Sequence, residues 1–172
     1  MDGEIRIEKK ETAVELNGLA PDRVRSLRVY ANKKTDLAFL SDYPRVEELI
    51  LRGDFTDAAG LNGLHSLRKL VMYLNLPVDF SNVRCDALEI LSARCAVDET
   101  FPAFFTENLR ELELSSIRGL KSLSFLEQAV GLKKLYLNAR PGVEALPDFR
   151  KLSKLFALNI FEMHKLRDIE SL

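Results

Sequence analysis

The hydrophobic positions of this chain follow neither an alternating nor a helical period for long. A six-residue pattern recurs instead, L-x-x-L-x-L, with Val, Ile, Met or Cys allowed for Leu. It begins at Val24, Val46, Leu67, Cys85, Leu109, Leu132 and Leu155. The middle positions are Leu27, Leu49, Leu70, Leu88, Leu112, Leu135 and Leu158, separated by 22, 21, 18, 24, 23 and 23 residues. A period in this range held across a whole chain marks a solenoid, in which each unit stacks on the last.

Within each unit the last two apolar positions are two apart and therefore share one face of a short strand. Between strands, apolar residues return at looser spacing, for example Ile117, Leu120, Leu123 and Leu126, then Val143, Leu146, Phe149 and Leu152. Gly, Pro, Ser and Asp interrupt these stretches, which predicts irregular or short-helical return arms. One such coil buries too few side chains to offset the entropy of ordering it, so neighbours must cover its two flat faces. The arms are bulkier than the strands, and the stack is expected to curve with the parallel sheet on its concave side.

This repeat resembles the leucine-rich repeat family, and in period the bacterial internalin-like type. The resemblance extends from about Val24 to Leu172. It implies an α/β solenoid: a right-handed coil with a concave parallel β-sheet and irregular or short-helical convex arms. The family often carries Asn three residues after the last strand position; Asn32 and Asn75 match, and Asp54 is a substitute. Ala93, Ile117, Arg140 and Met163 fall at that position in the later units, which predicts irregular turns there.

The ends differ from the middle. In residues 1–23, Ile5, Ile7, Val14 and Leu16 alternate around the polar "KKET", the pattern of a β-hairpin capping the first coil or of a degenerate first repeat. Residues 24–172 form the repeat domain, with seven strand units and an incomplete last coil. Leu166, Ile169 and Leu172 read as an arm lying over that coil, as the start of a longer solenoid, or as an edge that pairs with a partner.

Outward strand positions would align in rows across the sheet. One row reads Tyr30, Arg52, Tyr73, Leu91, Ser115, Asn138 and Phe161. The next reads Arg28, Ile50, Val71, Glu89, Glu113, Tyr136 and Asn159. An apolar and aromatic patch on such a face is suited to a protein partner, and the expected contact residues are Arg28, Tyr30, Ile50, Arg52, Val71, Tyr73, Leu91 and Tyr136. The bland alternative is a sheet surface whose aliphatic and aromatic residues simply suit strands.

Composition adjusts the picture little. The 172 residues are 47% hydrophobic and 30% charged, as in a globular domain, and the net charge of −1 gives no overall attraction to nucleic acid or anionic membranes. The first residues lack the basic start and apolar run of a signal peptide, so the expected location is cytoplasmic. Cys85 and Cys95 are expected to be buried thiols; His65 and His164 lie in distant units and cannot share a metal. No cofactor motif is present. The one catalytic arrangement worth naming is Glu89 beside Glu113, a carboxylate pair at a glycosidase-like separation. An open sheet gives such an acid little shelter, so a non-catalytic module is the leading expectation. It would be a monomer or a weak edge-strand dimer, with a structural segment of a larger solenoid as the alternative.

Overall fold

A computed structural model describes residues 2–8, 12–95, 107–116, 122–138 and 143–167. Nine strands form one sheet: β1 (Asp2–Ile7), β2 (Thr12–Glu15), β3 (Ser26–Thr35), β4 (Glu48–Phe55), β5 (Lys69–Leu74), β6 (Ile90–Arg94), β7 (Glu111–Ser115), β8 (Lys134–Asn138) and β9 (Ala157–Phe161). Their spatial order is β2-β1-β3-β4-β5-β6-β7-β8-β9. Only β1 and β2 pair antiparallel; every later pairing is parallel and joins consecutive units. A parallel neighbour can be reached only by a crossover, so each unit returns along an arm before laying down its strand. The architecture is solenoid-like, with one strand added per repeat.

The arms explain the leucine rhythm. In the second unit, Leu37, Leu40, Tyr43, Val46 and Leu49 are buried at three-residue steps before the chain switches to a two-residue step at Leu51. The next unit repeats this with Ala58, Leu61, Leu64, Leu67 and Leu70, then Met72. Steps of three suit successive 3₁₀ turns, whose side chains at i and i+3 eclipse. The backbone bonds agree: the Leu40 amide donates to the Leu37 carbonyl at 3.0 Å, and the Tyr43 amide to that of Leu40 at 2.9 Å. Short 3₁₀ segments occur at Ala38–Asp42, Ala59–Gly63, Ser124–Gln128 and Phe149–Lys151. Among the described residues the arms contain no α-helix, so the expected short-helical character is entirely of this tighter kind.

A second repeating signal occurs in five of the arms. The carboxylates of Asp36, Asp57, Asp79 and Asp148 and the hydroxyl of Ser122 each accept from the backbone amide two residues on. Such local bonds favour turns over strand or helix; those of Asp36 and Asp57 follow closely on β3 and β4, whereas those of Asp79, Ser122 and Asp148 lie further along their arms. Between neighbouring arms, Asn62 donates to the Asn82 carbonyl at 2.8 Å and accepts from the Arg84 amide at 2.7 Å.

The register corrects the reading of the fourth unit. Leu91, not Leu88, stands opposite Leu70 and Leu112, and Ala93 stands opposite Met72 and Leu114. Ala93 is therefore a buried strand position and not a turn position. Because the arm already steps by three, Cys85-x-x-Leu88-x-Ile90 imitates the strand motif one step early. The small Ala93 hides the true end of the motif. With Leu91 in place, the units from Leu27 to Leu112 repeat at 22, 21, 21 and 21 residues.

Close packing requires glycine at position 53. Gly53, at φ 121°, ends the regular β3–β4 register, and a Cβ there would run into the Ala31 carbonyl. Of the turn residues expected from the family pattern, Asn75 donates to Asp54 at 2.9 Å, while Asn32 lies exposed within β3. Ile117 and Arg140 lie outside the described residues.

At the N-terminal end Ile5 and Ile7 are buried, whereas Val14 on the edge strand is 50% exposed and does not join them. At the other end Leu158 and Ile160 of β9 are only half-buried, although their neighbours Leu135 and Leu137 on β8 are fully buried. Phe156 and Phe161 flank them in the open. Leu166 packs partly on the core; Ile169 and Leu172 lie outside the described residues.

Candidate functional site

Strand alternation divides the described strand side chains cleanly. Leu27, Val29, Leu49, Leu51, Leu70, Met72, Leu91, Ala93, Leu112, Leu114, Leu135 and Leu137 fill the core, and no polar or charged residue among the described ones is buried with them. The residues between them form the open face.

Two rows cross that face. The first runs Glu4, Arg28, Ile50, Val71, Ser92, Glu113, Tyr136 and Asn159. The second runs Arg6, Tyr30, Arg52, Tyr73 and Arg94. Ile50 and Val71 are half-buried neighbours, with Tyr30 and Tyr73 in the adjoining row. Tyr73 is 37% exposed, and Arg28 and Arg52 project into solvent. Tyr136 is exposed but separate from this group, because Ser92 and Glu113 stand between it and Val71.

Leu91 does not belong to the face. It is 0% exposed, and the shift of the fourth unit places Ser92 and Arg94 on the surface instead. The same shift removes the carboxylate pair. Glu113 faces Ser92 and Tyr136 on its neighbouring strands, and its oxygens accept from the hydroxyls of Ser92 at 3.0 Å and Ser115 at 3.1 Å. Glu89 precedes β6 and lies 3.6 Å from Arg68. The two carboxylates are out of register by three residues and do not stand in one row as expected.

What the corrected register reveals is an alternation of arginine and tyrosine along the second row. The Arg52 guanidinium lies 5.1 Å from the centre of the Tyr73 ring, and that of Arg6 lies 5.8 Å from Tyr30. Both distances are those of a cation over an aromatic face. Arg6 also donates to Glu4 at 2.6 Å, and that hydrogen bond raises its affinity for its proton further. Among the described residues Arg28, Arg52 and Arg94 have no salt-bridge partner. Placing Leu91 in the strand motif would have found Arg94 from sequence; the alternation of Ile5 and Ile7 turns Arg6 outward but does not reveal its place beside Tyr30.

Two hollows lie along this row. One, of about 400 Å³, is lined by Arg52, Tyr73, Asn75, Arg94 and Ser116 among others. The second, of about 390 Å³, is lined by Arg6, Glu8, Tyr30, Asn32 and Arg52. They meet at Arg52.

Charge at the entry to the strands is arranged differently. Arg25 pairs with Glu47 at 2.6 Å, Arg68 approaches Glu89, and Lys134 holds Glu111 at 2.6 Å. These exposed pairs satisfy one another across neighbouring strands and leave little net charge for a partner.

Cys85 and Cys95 are free and buried, and burial pushes both thiols up to about 12. His65 and His164 are exposed, on an arm and beyond β9. Among the described residues no three His, Cys, Asp or Glu side chains converge as metal ligands would, and no helix is long and apolar enough to cross a membrane.

Comparison of the chain with protein-family models and with curated proteins gives no match. Among solved structures it is similar to an internalin (inlF) from Listeria monocytogenes, with 15% identity and a TM-score of 0.44. The alignment covers 78% of this chain and 54% of that one, so the chain spans about half the length of that internalin.

Proposed function

We propose that this protein is a non-catalytic leucine-rich repeat module that binds another protein through the open face of its sheet, at β3 to β6. The observation that carries the reading is the cluster of Tyr30, Ile50, Val71 and Tyr73, bordered by Arg28, Arg52 and Arg94. Strand propensity accounts for any one of these residues, but not for arginines that lack a salt-bridge partner among the described residues and are interleaved with half-exposed aromatic and aliphatic groups. Tyr and Arg are the side chains that most often anchor protein interfaces, because each brings large contact area and a directional polar end. The paired charges at the strand entries make a poor alternative site, since a partner would have to displace existing ion pairs.

The test is capture with a matched control. The wild-type chain and a Tyr73→Ala variant serve as baits, and any protein retained only by the wild type is purified and titrated against both. Its affinity should fall at least about tenfold on Tyr73→Ala with the thermal midpoint nearly unchanged. Retention that ignores Tyr73, Arg52 and Val71 substitutions alike would move the site off this face.

A further inference from the structure

We infer that the segment recognised by this face is acidic and proline-rich, laid across the strands as a polyproline II helix with carboxylates on Arg52 and Arg94. The inference rests on the proposed interaction face and specifies its ligand. Three observations lead to it. First, the cationic groups are unpaired: neither Arg52 nor Arg94 has an acidic salt-bridge partner among the described residues, whereas Arg6 is taken by Glu4. A ligand placed here meets positive charge and supplies what the protein does not.

Second, the spacing selects a conformation. Arg52 and Arg94 stand in one row with Tyr73 between them, two strands apart. Strands lie about 4.8 Å apart, so the two positions are separated by about 9.6 Å. A polyproline II helix returns to the same side every three residues, after about 9.3 Å. A β-strand returns after about 6.7 Å, and an α-helix at multiples of about 5.4 Å. Acidic residues three apart in a polyproline II segment thus match the backbone spacing of the two arginines, whose side chains supply the remaining reach.

Third, the site between them is aromatic. Tyr73 carries Arg52 against its ring and remains 37% exposed, on the wall of the 400 Å³ hollow that also contains Arg94. Proline rings dock on such aromatic walls, and the segment gives up little entropy because it is already extended. The seat has natural limits. Ser116 bounds the hollow on the β7 side, and Glu8, lining the second hollow with Tyr30, disfavours anions there.

The experiment titrates a labelled, capped peptide of Glu-Pro-Pro repeats against the full chain by fluorescence anisotropy. Gln-Pro-Pro repeats, Glu-Gly-Gly repeats and a single-stranded oligonucleotide serve as comparisons. The Glu-Pro-Pro peptide should bind, weaken with added salt, and lose about tenfold or more on Arg52→Ala or Arg94→Ala, with circular dichroism confirming that each variant is folded. Arg94→Lys should recover part of the loss. Equal binding of either control peptide, tighter binding of the oligonucleotide, or indifference to both arginines would overturn the inference. If the peptide fails while a purified protein partner still depends on Tyr73, the open face stands and only this ligand class falls. If that partner is also indifferent to Tyr73, the face itself is wrong.

Discussion

The guanidinium of Arg52 lies 5.1 Å from the centre of the Tyr73 ring on the next strand. The contact is exposed, so its contribution to folding is modest, about 0.5–1 kcal/mol. The contact also holds a flexible arginine in one orientation. A double-mutant cycle on Arg52→Ala and Tyr73→Ala should return a folding coupling of that size by urea denaturation. The coupling measured on partner binding should exceed it. Equal coupling in both would reduce the pair to a structural contact.

Residues 91 and 92 separate the two sides of the sheet. Leu91→Ala removes a fully buried side chain and should cost about 2–5 kcal/mol, read as a lowered urea midpoint. Ser92→Ala, on the open face, should change stability by less than about 0.5 kcal/mol. The opposite ranking would restore Leu88 as the strand position and dissolve the Arg52, Tyr73, Arg94 row.

The thiols give a pH-dependent signature. Burial pushes Cys85 and Cys95 up to about 12 from an ordinary 9.0, with Asp86 adding to the effect at Cys85. Above pH 9 the unfolded chain ionises these thiols and the folded chain does not, so their contribution to stability falls as pH rises from about 9 to about 12. The native protein at pH 8 should resist alkylation and become reactive only when denaturant unfolds it. Rapid labelling of either cysteine without denaturant would contradict their burial.

At the other end of the pH scale, Arg150 wraps the carboxylate of Asp148. Its Nε and Nη2 each donate at 2.8 Å and its backbone amide at 3.1 Å. These bonds hold the carboxyl at about 2 instead of 3.8. A folded-state value below the unfolded one means that the stabilisation is full above pH 4 and disappears as pH falls toward 2. NMR titration should find the Asp148 midpoint near 2, and Arg150→Ala should return it toward the ordinary carboxylate range.

Much of the fold was legible because leucine marks equivalent points in nearly every unit. Leu27, Leu49 and Leu70 stand in register, as do Leu112, Leu135 and Leu158. The fourth unit was misread because its strand ends in Ala93, which buries little area, while Ile90 supplies an apolar residue where a polar one usually stands. The arms' steps of three are also visible in the sequence, as at Val143, Leu146, Phe149 and Leu152, but read there only as looser spacing; the local backbone bonds identify them as 3₁₀ turns. Of the expected contact residues, Tyr30, Ile50, Arg52, Val71 and Tyr73 come together, Tyr136 stands apart, and Leu91 is interior. Arg94 was missed through the same three-residue slip. A periodic pattern fixes which residues share a face only if the phase is right in every unit, and one small residue suffices to lose it.

Site-specific photocrosslinking tests the binding face most directly. A benzoylphenylalanine at Val71, half-exposed on the sheet, is compared with one at Ala59, exposed on an arm. With a purified partner present, crosslinked product should form from position 71 and not from position 59. Product from position 59 alone would contradict the assignment of the open sheet face as the interaction surface.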